Sequence, residues 1–530
     1  MKWVYGKKGC GLTRGDLPTN LKKKEETFPG NWKLSWQKSA EGIVPGKKNR
    51  EGPNIIEGKG LFGQYTTMKA EKSERRLPMD KVVNTLEAKG VSSDKLTQIN
   101  NQSQTCNHTK LMDKVLERSN LKKALKRVVA NKGAPGIDGM KVEELQDFLM
   151  DNWGTIKQEL TKGVYKPSPV RRVEIPKPGG GMRQLGIPTV LDRFIQQAIL
   201  QVLSPILEQT FSQYSYGFRP KKSARQAVKQ ARKYIEQGAR YVVDMDIEKF
   251  FDKVNHDMLM NKIHKHIKDK QIIRIIRRYL QAGIMICGVC VTTEHGTPQG
   301  GPLSPLLSNI YLTDLDNELE KRGHKFVRYA DDANIYVSSE RAGKRVLNSM
   351  ENFLGKKLKL RTNKEKSAVD KPSRRKFLGF SFFTRKGTPH IRIAPITIER
   401  FKNNIRRLTK RSTGESIEDK VNKLNKYITG WTAYFSIAKA RSILRGLDSW
   451  IRRRLRMCLL KQWKRCKTKL RKLMKLGIPE DWAGRIAFSR KKCWRLSNTP
   501  QVAKALGTKF WQEQGLKSLV ERYDEMCKRL

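Results

Sequence analysis

The stretch FVRYADDANIYV, residues 326–337, places two adjacent aspartates, Asp331 and Asp332, between two runs of apolar, β-branched and aromatic residues. Such runs are typical of β-strands, so the stretch predicts a strand, a tight turn and a second strand, with both carboxylates at the turn. Neighbouring carboxylates on a rigid hairpin repel each other unless they share a cation, which indicates a divalent metal such as Mg²⁺. A solvated acidic turn is the alternative interpretation.

The charge of the chain predicts a polyanionic partner. Its 530 residues carry 109 Lys and Arg against 51 Asp and Glu, a formal net charge of +58. Nucleic acid is the usual partner of so basic a protein, and an anionic membrane surface is the alternative. We find no apolar run long enough to span a bilayer and no signal-peptide pattern at the N-terminus, so we expect a cytoplasmic, nucleoid-associated protein.

The eight cysteines give no zinc-binding pattern. Only Cys287 and Cys290 have the spacing of metal ligands, and no second pair of this spacing follows them. Because a zinc site needs a second ligand pair, we expect reduced structural thiols instead.

Residues 1–105 are rich in Lys, Gly, Asn, Ser and Glu and show little periodicity. They contain too few apolar residues to fold alone, so we expect poor order or a short dock onto RNA, and an over-extended reading frame is a further explanation. Helical periodicity begins near residue 111. It stops at residues 131–139, where three glycines and a proline predict a loop that can approach another backbone closely. A plain connection between helices is the alternative there.

Residues 165–188 predict a basic hairpin. Prolines favour extended structure, and a glycine triplet supplies a turn between two short strands that carry Lys177 and Arg183. Such a hairpin can close over a triphosphate, because Arg offers a bidentate fork and Lys a point charge. A solvated basic hairpin is the alternative. The pattern after it predicts an amphipathic helix over residues 192–207.

A second acidic segment lies upstream of the first. Asp244 and Asp246 alternate in a β-rich run, so they share one face of the predicted strand. If this strand and the hairpin at 326–337 are neighbours, at least one of Asp244 and Asp246 can meet Asp331 and Asp332. Three carboxylates from two distant segments could hold two Mg²⁺ ions, which would align an attacking 3′ hydroxyl and stabilise a pyrophosphate leaving group. A half-buried strand with salt-bridged acids is the alternative.

A glycine-proline loop at residues 296–303 lies between these acids and runs into an apolar helix. Gly300 and Gly301 leave room for a base pair or a sugar to lie against the backbone. Gln299 can form a hydrogen bond at the same place.

Five motifs follow one another along the chain: DIEKFF at 246–251, TPQGG at 297–301, YADD at 329–332, LKLRTNKEKS at 358–367 and FLGF at 377–380. This order resembles the serial palm motifs of reverse transcriptases and, more narrowly, the group II intron-encoded reverse transcriptase/maturases. The resemblance covers the chain from about residue 110 to its C-terminus. It implies an α+β fold, a right-hand polymerase with fingers, an antiparallel-sheet palm and a helical thumb/maturase domain.

The resemblance also implies roles for individual residues. Asp246, Asp331 and Asp332 would coordinate the catalytic metals, and the Ile247 carbonyl would assist. Phe251 would be the steric gate that excludes a ribose 2′-OH and so selects deoxynucleotides.

The implied nucleotide site draws on several segments. Gln299 and Gly300 would line the pocket, while Lys177 and Arg183 would grip the triphosphate. Lys366, or else Lys364, would be an acid near the leaving pyrophosphate. Residues 131–139 would form an extra fingers loop over the template. Asp244 matches no essential position, so we expect a supporting role only.

Four domains are expected: an N-terminal extension at 1–105, fingers and palm at 106–395, a helical thumb/maturase domain at 396–475 and a basic DNA-binding region at 476–530. Beyond residue 396 the predicted helices interleave aromatic, aliphatic and basic residues, a pattern typical of helices that pack by one face and present charge to RNA. A solvated charged face is the alternative. The His-Asn-His nuclease that some relatives append is expected to be missing, which puts second-strand cleavage in doubt.

Four arginines are the predicted RNA contacts of the helical region: Arg452, Arg453, Arg454 and Arg456. The expected activity is RNA-directed DNA synthesis from dNTPs with two Mg²⁺ ions, for which Mn²⁺ can substitute. The expected partners are an RNA template, the intron RNA and a DNA primer or target, and no membrane or protein partner is expected. The resemblance and the basic C-terminal half add a maturase role in splicing and retrohoming.

Two other functions stay open at this stage. One is a non-catalytic RNA-binding splicing cofactor with a vestigial palm, against which the presence of all three metal-site aspartates argues. The other is an RNA-dependent RNA polymerase, against which Phe251 argues, since an aromatic gate disfavours ribonucleotides.

Overall fold

The computed structural model describes residues 110–176, 181–286, 289–291, 296 and 300–529. Three sequence-based expectations lie outside these ranges: the N-terminal extension at 1–105, Lys177 and Gln299. Their roles remain predictions.

The described chain begins with a helical layer. It consists of α1 (Leu111–Leu116), α2 (Arg118–Asn131), a 3₁₀ turn (Val142–Glu144) and α3 (Leu145–Lys162). The apolar residues of α2 recur every three or four positions and form its buried face, which packs into the first core. The helix ends at Asn131 and is capped by Lys132, which is left-handed. No helix or strand forms between Lys132 and residue 142, so the loop predicted at 131–139 is confirmed from residue 132 onward.

The predicted basic hairpin is confirmed as β1 (Val170–Pro176) paired antiparallel with β2 (Met182–Ile187). β1 also pairs in parallel with β4 (Ile284–Ile286), which pairs with β5 (Val289–Val291), giving a four-stranded sheet of order β2-β1-β4-β5. The predicted helix at 192–207 is confirmed as α4 (Val190–Glu208). Its first turn is capped by the Thr189 hydroxyl, which accepts from the Asp192 N–H.

A second four-stranded sheet carries the acidic segments. Its strands are β3 (Tyr241–Asp246), β6 (Lys325–Tyr329), β7 (Asp332–Val337) and β8 (Ala368–Asp370), all antiparallel in the order β6-β7-β3-β8. The predicted strand-turn-strand at 326–337 is therefore confirmed. Helices surround this sheet: α5 (Ala224–Glu236), α6 (Phe250–Lys253), α7 (His256–His266), α8 (Lys270–Gln281), α9 (Ser304–Lys321) and α10 (Glu340–Leu358).

The chain then forms a short hairpin and a set of helices. The hairpin is β9 (Phe380–Arg385) with β10 (Thr388–Ile393). The helices are α11 (Pro395–Leu408), α12 (Ile417–Phe435), α13 (Arg441–Gln462), α14 (Cys466–Lys475), α15 (Glu480–Ala487), α16 (Cys493–Leu496), α17 (Pro500–Ala505), α18 (Thr508–Glu513) and α19 (Leu519–Lys528). Across the described ranges, none of the helices combines the length and apolar character needed to cross a bilayer.

The acidic sheet separates two hydrophobic cores, because alternate residues of a strand point to opposite faces. Val243 and Met245 of β3 belong to the first core, with α9 and α10, whereas Val242 belongs to the second core, with α5, α11, α12 and α13. A smaller third core is built from residues between Leu460 and Leu506. Side chains on both sides of the expected boundary at 475/476 thus pack together.

Gly300, in the loop before α9, packs closely against the basic hairpin. Its φ is +144°, and a Cβ built on it would lie 2.3 Å from the carbonyl oxygen of Gly186 in β2. A glycine is therefore required at this position because the backbone of β2 lies too close for a side chain, and not because a sugar needs the space. Its expected role in the nucleotide pocket remains a prediction.

We predict that Gly300→Ala lowers the melting temperature, because the new Cβ and the positive φ both strain the backbone. The matched control is Gly446→Ala in the exposed middle of α13, where a Cβ meets nothing within 4 Å. That change should stabilise the protein by roughly 0.5–1 kcal/mol. Thermal unfolding of both variants measures the difference, and equal effects of the same sign would contradict this account.

Candidate active site

The turn between β6 and β7 presents the two adjacent carboxylates. Ala330 occupies the left-handed region at φ +59°, Asp331 lies at the turn, and Asp332 opens β7. Ala330 is buried, whereas the two aspartates are half-buried. The backbone thus folds sharply with a small residue inside and the two acids at the edge of a cleft.

Asp246 comes to this turn from the neighbouring strand. It is the last residue of β3 and pairs directly with Asp332, so the two side chains project from the same face of the sheet. The carbonyl of Asp246 accepts from the Asn363 N–H at 2.8 Å, and its N–H donates to Ser367 Oγ at 3.1 Å. These bonds fix the backbone at the end of β3, immediately before Ile247.

Asp244 lies on the same face, two residue pairs further along the strands. Arg375 donates to its Oδ2 through two nitrogens, at 2.9 and 2.6 Å. The Asn334 amide, oriented with its nitrogen toward the carboxylate, donates to Oδ1 at 3.0 Å. These partners balance the charge of Asp244 and satisfy its oxygens, and its supporting role remains a prediction.

The crowding of these acids perturbs their titration. Burial raises the pKa of Asp332 to about 7, and the charges of Asp331, Asp244 and Asp246 add to the increase. Burial likewise raises the pKa of Asp331, and the nearby Arg183 and Lys366 act in the opposite direction. A cation held among these oxygens would relieve the repulsion, so the donor set fits a divalent metal ion.

The carboxylates form an open arrangement and not a closed cage. In the ranges that the structure describes, no group of three or more His, Cys, Asp or Glu side chains is already assembled for metal binding. Instead, the Lys366 ammonium lies 2.9 Å from Asp246 Oδ2, and this hydrogen bond raises the pKa of Lys366. Lys366 therefore supplies a positive charge on the side of Asp246. Lys364 is exposed.

The other predicted nucleotide-site residues are placed as follows. Arg183 is exposed on β2 and lies close enough to Asp331 for its charge to lower the pKa of that carboxyl, opposing burial. Phe251, in α6, is 7% exposed and meets Phe250 edge-on at 5.3 Å between ring centroids. The basic hairpin and the acidic turn therefore border one site.

Arg456 of α13 does not fit the predicted RNA contact. It is 6% exposed and donates to the carbonyls of Ser497 at 2.8 Å and Leu506 at 3.3 Å, where α16 and α17 end. The prediction for this residue is wrong, because its guanidinium is buried and occupied by helix-terminal carbonyls that lack intrahelical donors.

Arg453 and Arg454 are also partly engaged within the protein. Arg454 donates to the hydroxyl and carbonyl of Thr409 at the end of α11, at 2.6 and 3.1 Å. Arg453 stacks on Trp494, with 4.0 Å between the guanidinium carbon and the ring centroid. Both are half-buried, as is Arg452, and their contacts with RNA remain predictions. A cavity of about 370 Å³ beside them is lined by Arg406, Lys410, Arg411, Ser412, Arg454, Met457 and Trp494.

Sequence reasoning missed a buried group beneath the turn. Arg328 and Asp316 form an ion pair with both side chains 0% exposed, and Arg328 also contacts Asn309 and the Ala330 carbonyl. An arginine within an otherwise apolar strand was the available signal, since a buried charge requires a partner.

Two parts of the chain match known families. Residues 175–382 match the family described as reverse transcriptase (RNA-dependent DNA polymerase), and residues 398–477 match the group II intron, maturase-specific domain. The chain thus combines a reverse transcriptase region with a group II intron maturase-specific region. The first match contains Asp246, Asp331 and Asp332, and the expected α+β polymerase fold is confirmed. Reverse transcriptases generally use divalent metal ions, in agreement with the donor set.

Curated relatives match parts of this chain. Protein YkfC of Escherichia coli (strain K12) is 38% identical over 208 residues, which cover 38% of this chain and 55% of YkfC. The group II intron-encoded protein LtrA of Lactococcus lactis subsp. cremoris is 39% identical over 206 residues, or 39% of this chain and 34% of LtrA. The COX1/OXI3 intron 2 protein of Saccharomyces cerevisiae is 29% identical over 369 residues, or 58% of this chain and 42% of that protein. The chain thus spans between about a third and just over half of each relative's length.

We predict that Asp332→Asn stabilises the metal-free protein at neutral and alkaline pH. Because the folded-state pKa of about 7 exceeds the ordinary value of 3.8, the stability that protonated Asp332 contributes is lost as pH rises through about 7. The gain in melting temperature over wild type should therefore be several degrees at pH 8 and smaller at pH 5.

The control for this experiment is Asp257→Asn, at a side chain that is 73% exposed and paired with Arg277. It should show no such pH-dependent gain. Added Mg²⁺ should stabilise the wild type more than Asp332→Asn. A gain in melting temperature that did not change between pH 5 and pH 8 would contradict the assigned shift.

Proposed function

We propose that this chain is an RNA-directed DNA polymerase that extends a primer on an RNA template, and a maturase that binds intron RNA to promote splicing and retrohoming. The observation that carries the polymerase activity is the direct pairing of Asp246 with Asp332, beside Asp331, at one end of the acidic sheet inside the matched reverse transcriptase region.

The three aspartates would hold two Mg²⁺ ions, with Mn²⁺ as a substitute, and the Ile247 carbonyl would assist. Bound there, such ions would supply Lewis-acid chemistry that activates a primer 3′ hydroxyl and neutralises charge at the phosphorus. Binding requires ionised carboxylates, so the raised pKa of Asp332 makes occupancy weaker in acid. Lys366, or else Lys364, would donate a proton to the departing pyrophosphate, and the 2.9 Å pairing of the Lys366 ammonium with Asp246 supports Lys366 for this role.

Side chains that line the nucleotide pocket would orient the dNTP. Arg183 offers a guanidinium fork to phosphate oxygens, and Lys177 would add a second cation from the same hairpin. Gln299 and Gly300 would border the base and sugar, and Phe251 would exclude a 2′-OH.

Intron RNA, the RNA template and a DNA primer or target are the proposed partners, in the cytoplasm. Support comes from the matched maturase-specific domain and from the cationic cavity beside α13. We place Arg452, Arg453 and Arg454 at the edge of the RNA-binding surface and remove Arg456 from it. The expected fingers loop at 131–139 and the DNA-binding role of residues 476–530 belong to the same proposal.

We predict that Asp331→Ala combined with Asp332→Ala abolishes primer extension on an RNA template while leaving intron RNA binding and splicing intact. Loss of the metal site should cost several kcal/mol of barrier lowering, or roughly 10³-fold in rate. Single-turnover extension and a splicing assay on the cognate intron measure the two activities separately. Extension at wild-type rate would refute the site, and a wild type that splices but never extends would favour the non-catalytic splicing cofactor.

We predict that Phe251→Val admits ribonucleotides, because shortening the side chain removes the obstacle to a 2′-OH. The ratio of kcat/KM for dNTP over rNTP should fall by roughly 10–100-fold, with kcat/KM for dNTP changed far less. Steady-state incorporation on a homopolymer template provides the measurement, and Leu360→Val in the buried core is the control for lost packing. Unchanged selectivity would remove the gate assignment and reopen the RNA polymerase alternative.

A further inference from the structure

A buried ion pair lies directly beneath the acidic turn. Arg328 of β6 and Asp316 of α9 are both 0% exposed. Arg328 Nε donates to Asp316 Oδ1 at 2.7 Å, and Nη2 donates to Oδ2 at 2.6 Å. This bidentate arrangement fixes the plane of the guanidinium group as well as its position.

The third nitrogen of the same guanidinium group reaches the turn itself. Nη1 of Arg328 donates to the Ala330 carbonyl at 2.9 Å and to Asn309 Oδ1 at 3.1 Å. Asn309 Nδ2 in turn donates to the Gly217 carbonyl at 2.9 Å. Gly217 lies against the other side of the turn, since a Cβ there would be 2.3 Å from the Ala330 nitrogen.

Ala330 is thus held from two sides in a conformation that it would not adopt freely. Its φ of +59° is unfavourable for a residue with a Cβ, and such a conformation persists only where the surroundings enforce it. The next residue is Asp331. A change in the backbone at Ala330 would redirect the carboxylates of Asp331 and Asp332 together.

We propose that Arg328, oriented by Asp316 and Asn309, is a positioning residue that sets the divalent-cation affinity of Asp331 and Asp332 by fixing the backbone of their turn. The inference rests on the proposed function only for the identity of these aspartates as metal ligands. Arg328 acts here through its hydrogen bond to the carbonyl of Ala330, the residue immediately before Asp331. The guanidinium group itself is buried.

A purely structural ion pair would behave differently. Replacing both members of a buried pair with apolar residues often restores stability, whereas removing one member leaves an unpaired charge. Stability and metal affinity should therefore separate in a double variant. If the pair only stabilises the fold, both properties should recover together.

The experiment measures Mn²⁺ binding to the full-length protein, from the electron paramagnetic resonance signal of free Mn²⁺, alongside thermal unfolding without metal. Asp331→Asn identifies the binding that belongs to the turn. Arg328→Met should weaken that binding by roughly 10-fold or more, the usual effect of losing a group that orients metal ligands. Arg328→Lys, which keeps the charge but not the fork, should recover only part of the affinity.

The double variant Arg328→Met with Asp316→Leu should regain most of the lost melting temperature and keep the weakened Mn²⁺ affinity. Lys420→Met is the matched control, because Lys420 is another buried cation, 1% exposed, in the helical region after residue 395. It should lower the melting temperature without changing the Mn²⁺ affinity of the turn.

Asn309→Ala decides the question if the Arg328 variants do not fold. It keeps the buried ion pair but removes a group that orients Arg328 Nη1, so it should also weaken Mn²⁺ binding. Wild-type Mn²⁺ affinity in this variant or in the folded double variant would overturn the inference. A wild type that binds Mn²⁺ at Asp331 but extends no primer would refute the proposed function and leave the inference standing.

Discussion

Four half-buried carboxylates gather where β3 and β7 pair, and their mutual repulsion is the constraint around which the site is built. Three of them come from strand positions whose side chains necessarily project the same way. The sheet cannot spread them apart without breaking its register. The charge must instead be balanced by cations brought from elsewhere in the chain.

Those cations come from segments that are distant in sequence. Arg375 binds Asp244, Lys366 binds Asp246, and the charge of Arg183 reaches Asp331. The most central carboxylate, Asp332, has the acids as its strongest charged neighbours and a pKa raised to about 7. The protein thus neutralises the periphery of the cluster and leaves its centre in need of positive charge.

Local pattern was sufficient to predict the strands, the turn and the shared face of Asp244 and Asp246, because each depends on alternation within a few residues. The buried pair of Arg328 and Asp316 was not predictable in this way, since its members lie on different elements and meet only after α9 packs on β6. Gly300 was recognised as unusual, but the carbonyl that requires it belongs to a strand more than a hundred residues earlier.

The burial of an arginine in α13 has a consequence for the proposed recognition of RNA. Arg456 is buried against the negative ends of two other helices, so part of the positive charge counted from the sequence does not reach the surface. A guanidinium group committed to helix carbonyls displaces no counterions from an RNA backbone. The dependence of RNA affinity on salt concentration should therefore be shallower than the number of arginines in this region would suggest.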